Sequence, residues 1–345
     1  MSSRSKNRDD LFLRNCAGEV TEQKPVWIMR QAGRYLSEYR EVRANFPNFI
    51  DFYKNPEAAC KVTLQPIDRF GLDAAILFSD ILTLLPVSGS DLEFIPGKGP
   101  TVHNPIRTLE DAQSLKKVDV EKDLHFVFDG VKLIREKLDG RIPLIGFAGG
   151  PLTVASYMIE GGSSRELAKT KQLMFHIPEA YHLLMEHLTQ ITIQYLQLQV
   201  EAGAQVICVM DSWAGHFSPS DYNESIGPYT KRIFDALRAS TNVPLIHYAN
   251  GASALLKPFT GLGADVLGLD WRADLAQAVT DYPDQMFQGN LDPCTLYAPS
   301  EIIEKRTFDI LEIVKDRPHI MNLGHGVLPD IPVSGVEAFL KTIRA

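Results

Sequence analysis

Two arginines four residues apart, Arg30 and Arg34, follow an apolar run in PVWIMRQAGRY (25–35). A guanidinium presents a planar fork that pairs bidentately with carboxylate or phosphate, so the pair suits a multiply anionic ligand. Arg40 and Arg43 continue the basic segment but read as a solvated face making surface contacts. Asp80 ends another apolar run, DAAILFSD (73–80), with no neighbouring lysine. A carboxylate there feels desolvation and needs a hydrogen-bond donor or a cation, unless it only caps the next helix. In NLGHG (322–326) an imidazole, His325, stands between two glycines, which turn geometry alone does not explain.

The elements that must carry these groups form a regular series. Short apolar runs occur at 25–30, 73–80, 142–149, 204–212, 243–250, 264–270, 285–292 and 319–326. Most are continuous rather than alternating, as parallel strands covered on both faces require. Between them lie helix-like stretches at 56–71, 123–140, 164–203, 227–241, 254–263, 272–282 and 299–317, and a last one at 330–345 closes the chain. Strand–helix alternation implies βαβ units. No G-x-G-x-x-G follows the first run and no G-x-x-x-x-G-K occurs, so a single (β/α)8 TIM-type barrel over residues 1–345 is preferred to a doubly wound sheet. Segment 86–105, PVSGSDLEFIPGKGPTVHNP, breaks the alternation and reads as a hairpin inserted after the second strand.

In such a barrel the strand exits share one face, where active sites are built. The polar residues converging there are Arg30, Gln31, Arg34, Ser79, Asp80, Asp211, Ser212, His247, Asn250, Asp270, Asn290, Asp292, Asn322 and His325. Some, Asp270, Asn290 and Asp292 above all, are equally explained as caps. No H-x-H or H-E-x-x-H pattern marks a metal site, and His176, His182 and His187 read as ordinary helix residues.

The 345 residues are 45% hydrophobic and 23% charged, with 35 Lys+Arg against 43 Asp+Glu. This is a globular composition, and the net charge of −8 argues against a nucleic-acid surface. Cys16, Cys60, Cys208 and Cys294 show no C-x-x-C spacing and read as reduced thiols of a cytoplasmic protein. The first fifteen residues have no apolar core typical of a signal peptide, and the longest charge-free stretch, 142–159, is punctuated by Gly149-Gly150-Pro151. No membrane association is expected.

PVWIMRQAGRY, TLQPIDRFGLDAAILFSDIL, IPGKGP, RIPLIGFAGGPLT, YMIEGG, GLDW, QGNLDP and NLGHG, in this order along nearly the whole chain, resemble the uroporphyrinogen decarboxylase family. The resemblance implies a (β/α)8 barrel, a homodimer, no cofactor and no metal. It implies a carboxy-lyase of porphyrin and heme biosynthesis that converts the four acetates of uroporphyrinogen III to methyls, giving coproporphyrinogen III and four CO2. It places substrate binding on Arg30, Gln31, Ala32, Gly33, Arg34, Asp80, Tyr157, Ser212 and His325, and catalysis on Arg30 and Asp80. Such a substrate matches the residues, with eight carboxylates for the arginines and four pyrrole N–H groups for one buried carboxylate. The proton donor stays open: Arg30 is a poor acid, and His325 has a suitable ordinary pKa. The chain departs from the resemblance at Ser37, where proline is common, and in the spelling MDSWAGH. Two other readings remain. One is a corrinoid- or zinc-dependent methyltransferase on the same barrel, although His247-Tyr248-Ala249 has alanine where a zinc-binding H-x-C needs cysteine. The other is a non-catalytic porphyrin-binding protein.

Overall fold

Eight extended segments lie side by side and parallel, and their order in space follows their order in the chain. The computed structural model describes residues 8–345, so part of the amino-terminal stretch judged unlike a signal peptide, residues 1–7, lies outside the described residues. The strands are β1 (Ala75–Ile76), the antiparallel pair β2 (Leu92–Ile95) and β3 (Gly99–Val102), then β4 (Leu144–Gly149), β5 (Val206–Asp211), β6 (Leu245–Ala249), β7 (Val266–Gly268), β8 (Met286–Leu291) and β9 (His319–Leu323). The main sheet runs β1-β4-β5-β6-β7-β8-β9, every pairing parallel.

The eighth position is filled by residues 25–29. Val26 bridges Met321 of β9 in parallel, and the Met321 N–H donates to the Pro25 carbonyl at 2.8 Å. On its other side the Asp73 N–H donates to the Val26 carbonyl and the Val26 N–H to the Asp73 carboxylate, both at 2.9 Å. The ring therefore closes between β9 and β1 as a TIM-type barrel. This segment is shorter than the strand expected over 25–30. Pro25 has no N–H to give the ladder, and Arg30 leaves it at φ 62.

β4, β5 and β8 are buried at every residue, which is why they read as unbroken apolar runs. Helices Pro56–Phe70, His125–Leu138, Gly227–Ser240, Ser300–Val314 and Val333–Ile343 follow the expected stretches closely. The long stretch 164–203 is instead two helices, Ala168–His176 and Pro178–Ala202. Proline at 178 pushes the preceding residue out of the helical region, and Ile177 sits at φ −133, ψ 61.

The hairpin after β1 forms as expected and has a positioning role. Thr101 bridges Gly162, and the Val102 N–H donates to the Gly161 carbonyl at 3.0 Å. The hairpin thus holds the end of helix Pro151–Glu160, which carries Tyr157. The apolar stretch 142–159 divides into β4 and this helix, and among the described residues no helix is long and apolar enough to cross a membrane.

Candidate active site

Arg30 is aimed by its backbone. Its non-glycine positive φ is a strained conformation costing roughly 1–3 kcal/mol. The strain is held by hydrogen bonds on both sides. The Met29 N–H donates to Asn322 Oδ1 at 3.1 Å, and the Val327 N–H donates to the Met29 carbonyl at 3.0 Å. The Arg30 side chain then lies across Gly326: a Cβ placed there would sit 2.4 Å from Arg30 Cδ and 2.6 Å from Cγ. Gly324 is tighter still, its missing Cβ being 2.3 Å from the Trp271 backbone nitrogen. Neither glycine has positive φ. Their need is close approach by neighbouring atoms.

His325 hangs between them, half-buried. The Gly326 N–H donates to His325 Nδ1 at 2.7 Å, which leaves the proton on Nε2. Tyr248 and Trp271 stand edge-on to the imidazole at 6.3 and 6.2 Å. Burial, with the Arg30 and Arg272 guanidiniums, pushes its pKa down to about 4. The imidazole is therefore neutral near pH 7, a hydrogen-bond donor through Nε2. This corrects the expectation that an ordinary pKa suits it to supply the proton.

Asp80 follows β1 at a tight turn. The Leu82 N–H donates to its Oδ1 at 2.8 Å, and its carbonyl accepts from the Thr83 hydroxyl at 2.7 Å. Burial raises the Asp80 pKa to about 6, against the Leu82 hydrogen bond and the Arg30 charge, which both lower it. The carboxylate is ionised at neutral pH but at a cost, and it can accept further donors. Tyr157 is in the same field. Burial raises its pKa, the Ser163 side chain lowers it, Asp80 raises it, and Trp213 and Arg30 lower it. Its ring lies 5.9 Å from that of Trp213. Ser212, partly exposed, sits between Trp213 and β5. Behind it, buried Asp211 accepts from the Thr153 hydroxyl at 2.9 Å, and Thr153 Oγ1 accepts from the Trp213 N–H at 3.3 Å.

The structure thus gathers Arg30, Asp80, Tyr157 and His325 into one electrostatic neighbourhood. Arg34 is exposed, its carbonyl accepting from Arg40 Nη1 at 2.6 Å. Ala32 and Gly33 are half-buried in the turn between the two arginines. Gln31 is buried as a strut. Its Oε1 accepts from the Ile28 N–H at 3.2 Å and its amide donates to the Ala74 carbonyl at 3.3 Å.

Other strand-end residues serve the scaffold. Asn290 donates to the Asp270 and Ala273 carbonyls at 3.0 and 2.9 Å, and Asp292 caps the Cys294 N–H at 2.9 Å. Asp270 accepts from the Gly251 and Arg272 backbone N–H groups. His247, expected at the site face, is instead buried in the outer layer, 5.6 Å from Phe234 and 4.7 Å from Phe259. Strand alternation sends the side chain of its neighbour Tyr248 to the other face, where its hydroxyl donates to the Gly324 carbonyl at 2.9 Å. Among the described residues no group of three His, Cys, Asp or Glu is placed to hold a metal.

Sequence reasoning passed over Trp271, Arg272 and Trp213. Arg272 falls in the helix-like stretch 272–282, although that helix begins only at Leu275. An aromatic directly after the strand-end aspartate in GLDW was the available signal.

The uroporphyrinogen decarboxylase (URO-D) family model matches residues 7–345. The chain belongs to the uroporphyrinogen decarboxylase family. It is 44% identical over 338 residues to a uroporphyrinogen decarboxylase of Carboxydothermus hydrogenoformans, covering 97% of this chain and 96% of that one. It is 46% identical over 322 residues to one from Geobacter sp. strain M21, covering 93% and 94%. Among solved structures it is similar to a methyltransferase from Methanosarcina mazei, with a TM-score of 0.80, 20% identity and 98% of each chain covered. It is also similar to a B12-independent methionine synthase from Shewanella sp. W3-18-1, with a TM-score of 0.55, 13% identity and 93% of each chain covered. At those identities the structural likeness establishes the barrel alone.

Proposed function

We propose that the protein removes CO2 from the four acetate side chains of uroporphyrinogen III, giving coproporphyrinogen III. The observation that carries the reading is Asp80, a half-buried carboxylate in the field of Arg30 at the mouth of the barrel. The pyrrole N–H groups of a tetrapyrrole can converge on Asp80, while Arg30 and Arg34 meet carboxylates at the rim.

The pyrrole supplies the electron sink. A proton added to a pyrrole carbon gives a cation. The C–C bond to the acetate carboxylate then breaks, its electrons neutralise the ring, and CO2 leaves. The methylene carbon takes up a proton to become methyl, and the pyrrole carbon releases the proton it first accepted, so each cycle consumes one proton net and releases one CO2. Ionised Asp80 stabilises the cation in a site that excludes most water, where a fixed charge counts for more than in solution. Arg30 orients the reacting acetate. His325 through Nε2–H, Tyr157 and Ser212 act as neutral donors, and the turn Gln31-Ala32-Gly33 holds the arginines in place. The residues themselves speak against a zinc-dependent methyltransferase, since His247 is packed among aromatic rings and Ala249 stands where that chemistry needs cysteine.

We take residues 1–345 as one domain, a reading supported by the ring that joins residues 25–29 to both β1 and β9. We also propose a homodimer in the cytoplasm. Support for the dimer comes from the exposed apolar side chains of Phe175 and Ile177 beside a groove between Ile106, Ile159 and Leu173. The four unpaired cysteines fit a reducing compartment. Light scattering giving twice the mass of one chain would support the pairing, and the mass of one chain would overturn it.

The test of activity is anaerobic incubation of the purified protein with uroporphyrinogen III, followed by oxidation and separation of the products by carboxylate number. Stepwise loss from eight carboxylates to four, without added metal or cofactor, is expected. Tight binding with the octacarboxylate unchanged would instead favour the porphyrin-binding reading.

A further inference from the structure

Arg272 lies at the rim of the site, in the turn between β7 and helix Leu275–Asp281. Its guanidinium carbon is 3.9 Å from the centre of the Trp271 ring. This cation–π contact holds the guanidinium over the indole and leaves part of the fork for other partners. One nitrogen, Nη1, is anchored at 3.3 Å to Asn250 Oδ1 and at 3.4 Å to Asp270 Oδ2. The Asp270 carboxylate is shared with the backbone N–H groups of Gly251 and Arg272. Among the described residues, Nε and Nη2 carry no hydrogen bond, and the side chain is 52% exposed. His325 stands edge-on to Trp271 at 6.2 Å and feels the positive charges of both Arg30 and Arg272. Arg30, His325, Trp271 and Arg272 are thus neighbours at the mouth.

A chain of net charge −8 repels a polyanion except where cations are focused. Two arginines leave most of eight carboxylates without a partner. We propose that Arg272 is a third carboxylate-binding arginine of the site, pairing through its free edge with a side chain of the bound tetrapyrrole that is not the one reacting. This rests on the activity proposed above. Such a contact is the same in the ground and transition states, so it sets KM and leaves kcat alone.

The test compares wild type, R272Q and R272K with uroporphyrinogen III under anaerobic conditions, by initial rates and by equilibrium binding. For R272Q, KM and Kd should rise about tenfold, the scale of one lost charge-assisted pair at a partly exposed rim, with kcat within about twofold. R272K should fall between, because lysine keeps the charge and loses the fork. The salt dependence of kcat/KM should become shallower in R272Q, and the His325 NMR titration should move up as a neighbouring positive charge is removed. Unchanged KM and Kd in R272Q would overturn the inference, as would a fall in kcat at constant KM. Wild type that binds without releasing CO2 would overturn the activity, while a tenfold rise in Kd in R272Q would still sustain the carboxylate site.

Discussion

Replacing Gly326 by alanine should cost about a hundredfold in kcat/KM while leaving the barrel folded. The new Cβ would lie 2.4 Å from Arg30 Cδ, 2.6 Å from Cγ and 2.9 Å from Nε. Carbon atoms rest at roughly 3.5–4 Å, so the Arg30 side chain must move by about 1 Å or more. It cannot do so by relaxing its backbone, because φ 62 is set by the hydrogen bonds of Met29 on either side. The guanidinium is therefore what moves, and a misplacement of about 1 Å can cost on the order of 10²-fold, or about 2.7 kcal/mol of transition-state stabilisation. The atoms displaced belong to the flexible part of a side chain, so the cost to stability should stay below about 1 kcal/mol and the Tm within about 2 °C. The assay is the initial rate of loss of the octacarboxylate, with thermal unfolding alongside. A double-mutant cycle sharpens it: if Gly326 acts through Arg30, adding G326A to an R30A background should cost nothing further. G326A turning over at more than about a third of the wild-type rate, or additivity with R30A, would refute the reasoning.

Three other outcomes are expected. The Asp80 pKa of about 6 lies above its ordinary 3.8, so the folded protein binds the extra proton and stability falls as pH rises between about 4 and 6, then levels off. D80N should remove that burden, raising stability at pH 7 by roughly 2 kcal/mol while turnover falls at least about a hundredfold; a D80N protein no more stable at pH 7 than wild type would contradict the burial argument. The acid limb of kcat/KM should fall near pH 6 with Asp80, and His325, held near 4, should titrate below it by NMR; a His325 midpoint at or above 6 would show that the imidazole is not desolvated as described. T153V should destabilise the fold by about 1–3 kcal/mol, because buried Asp211 loses the hydroxyl that donates to it, and unchanged denaturant midpoints would count against that network.

The barrel and three of the candidate site residues were legible in the sequence. Continuous apolar runs mark buried parallel strands, and Arg30, Asp80 and His325 stand at their exits, so placing them on one face needed only the rule that all exits of a parallel barrel face the same way. Tyr157 came from family resemblance alone, since nothing in a helix of mixed residues sets one tyrosine apart. Gln31 could not be recognised as a strut from its place between the arginines, because its partners are the Ile28 N–H and the Ala74 carbonyl, the second 43 residues away. His247 and Tyr248 adjoin in the chain, and only the parity of β6 decides that the tyrosine faces the site while the imidazole is packed against Phe234 and Phe259.

Periods, caps and proline breaks are properties of neighbours along the chain, so the sequence by itself determined the elements, their order and the candidate chemistry. The tertiary structure decided which side of each strand meets the site, that Gly326 makes room for Arg30, that Arg272 lies on Trp271 at the rim, and that His325 is neutral. Each of these depends on atoms brought together from distant parts of the chain, and on the exclusion of water that only the closed barrel provides.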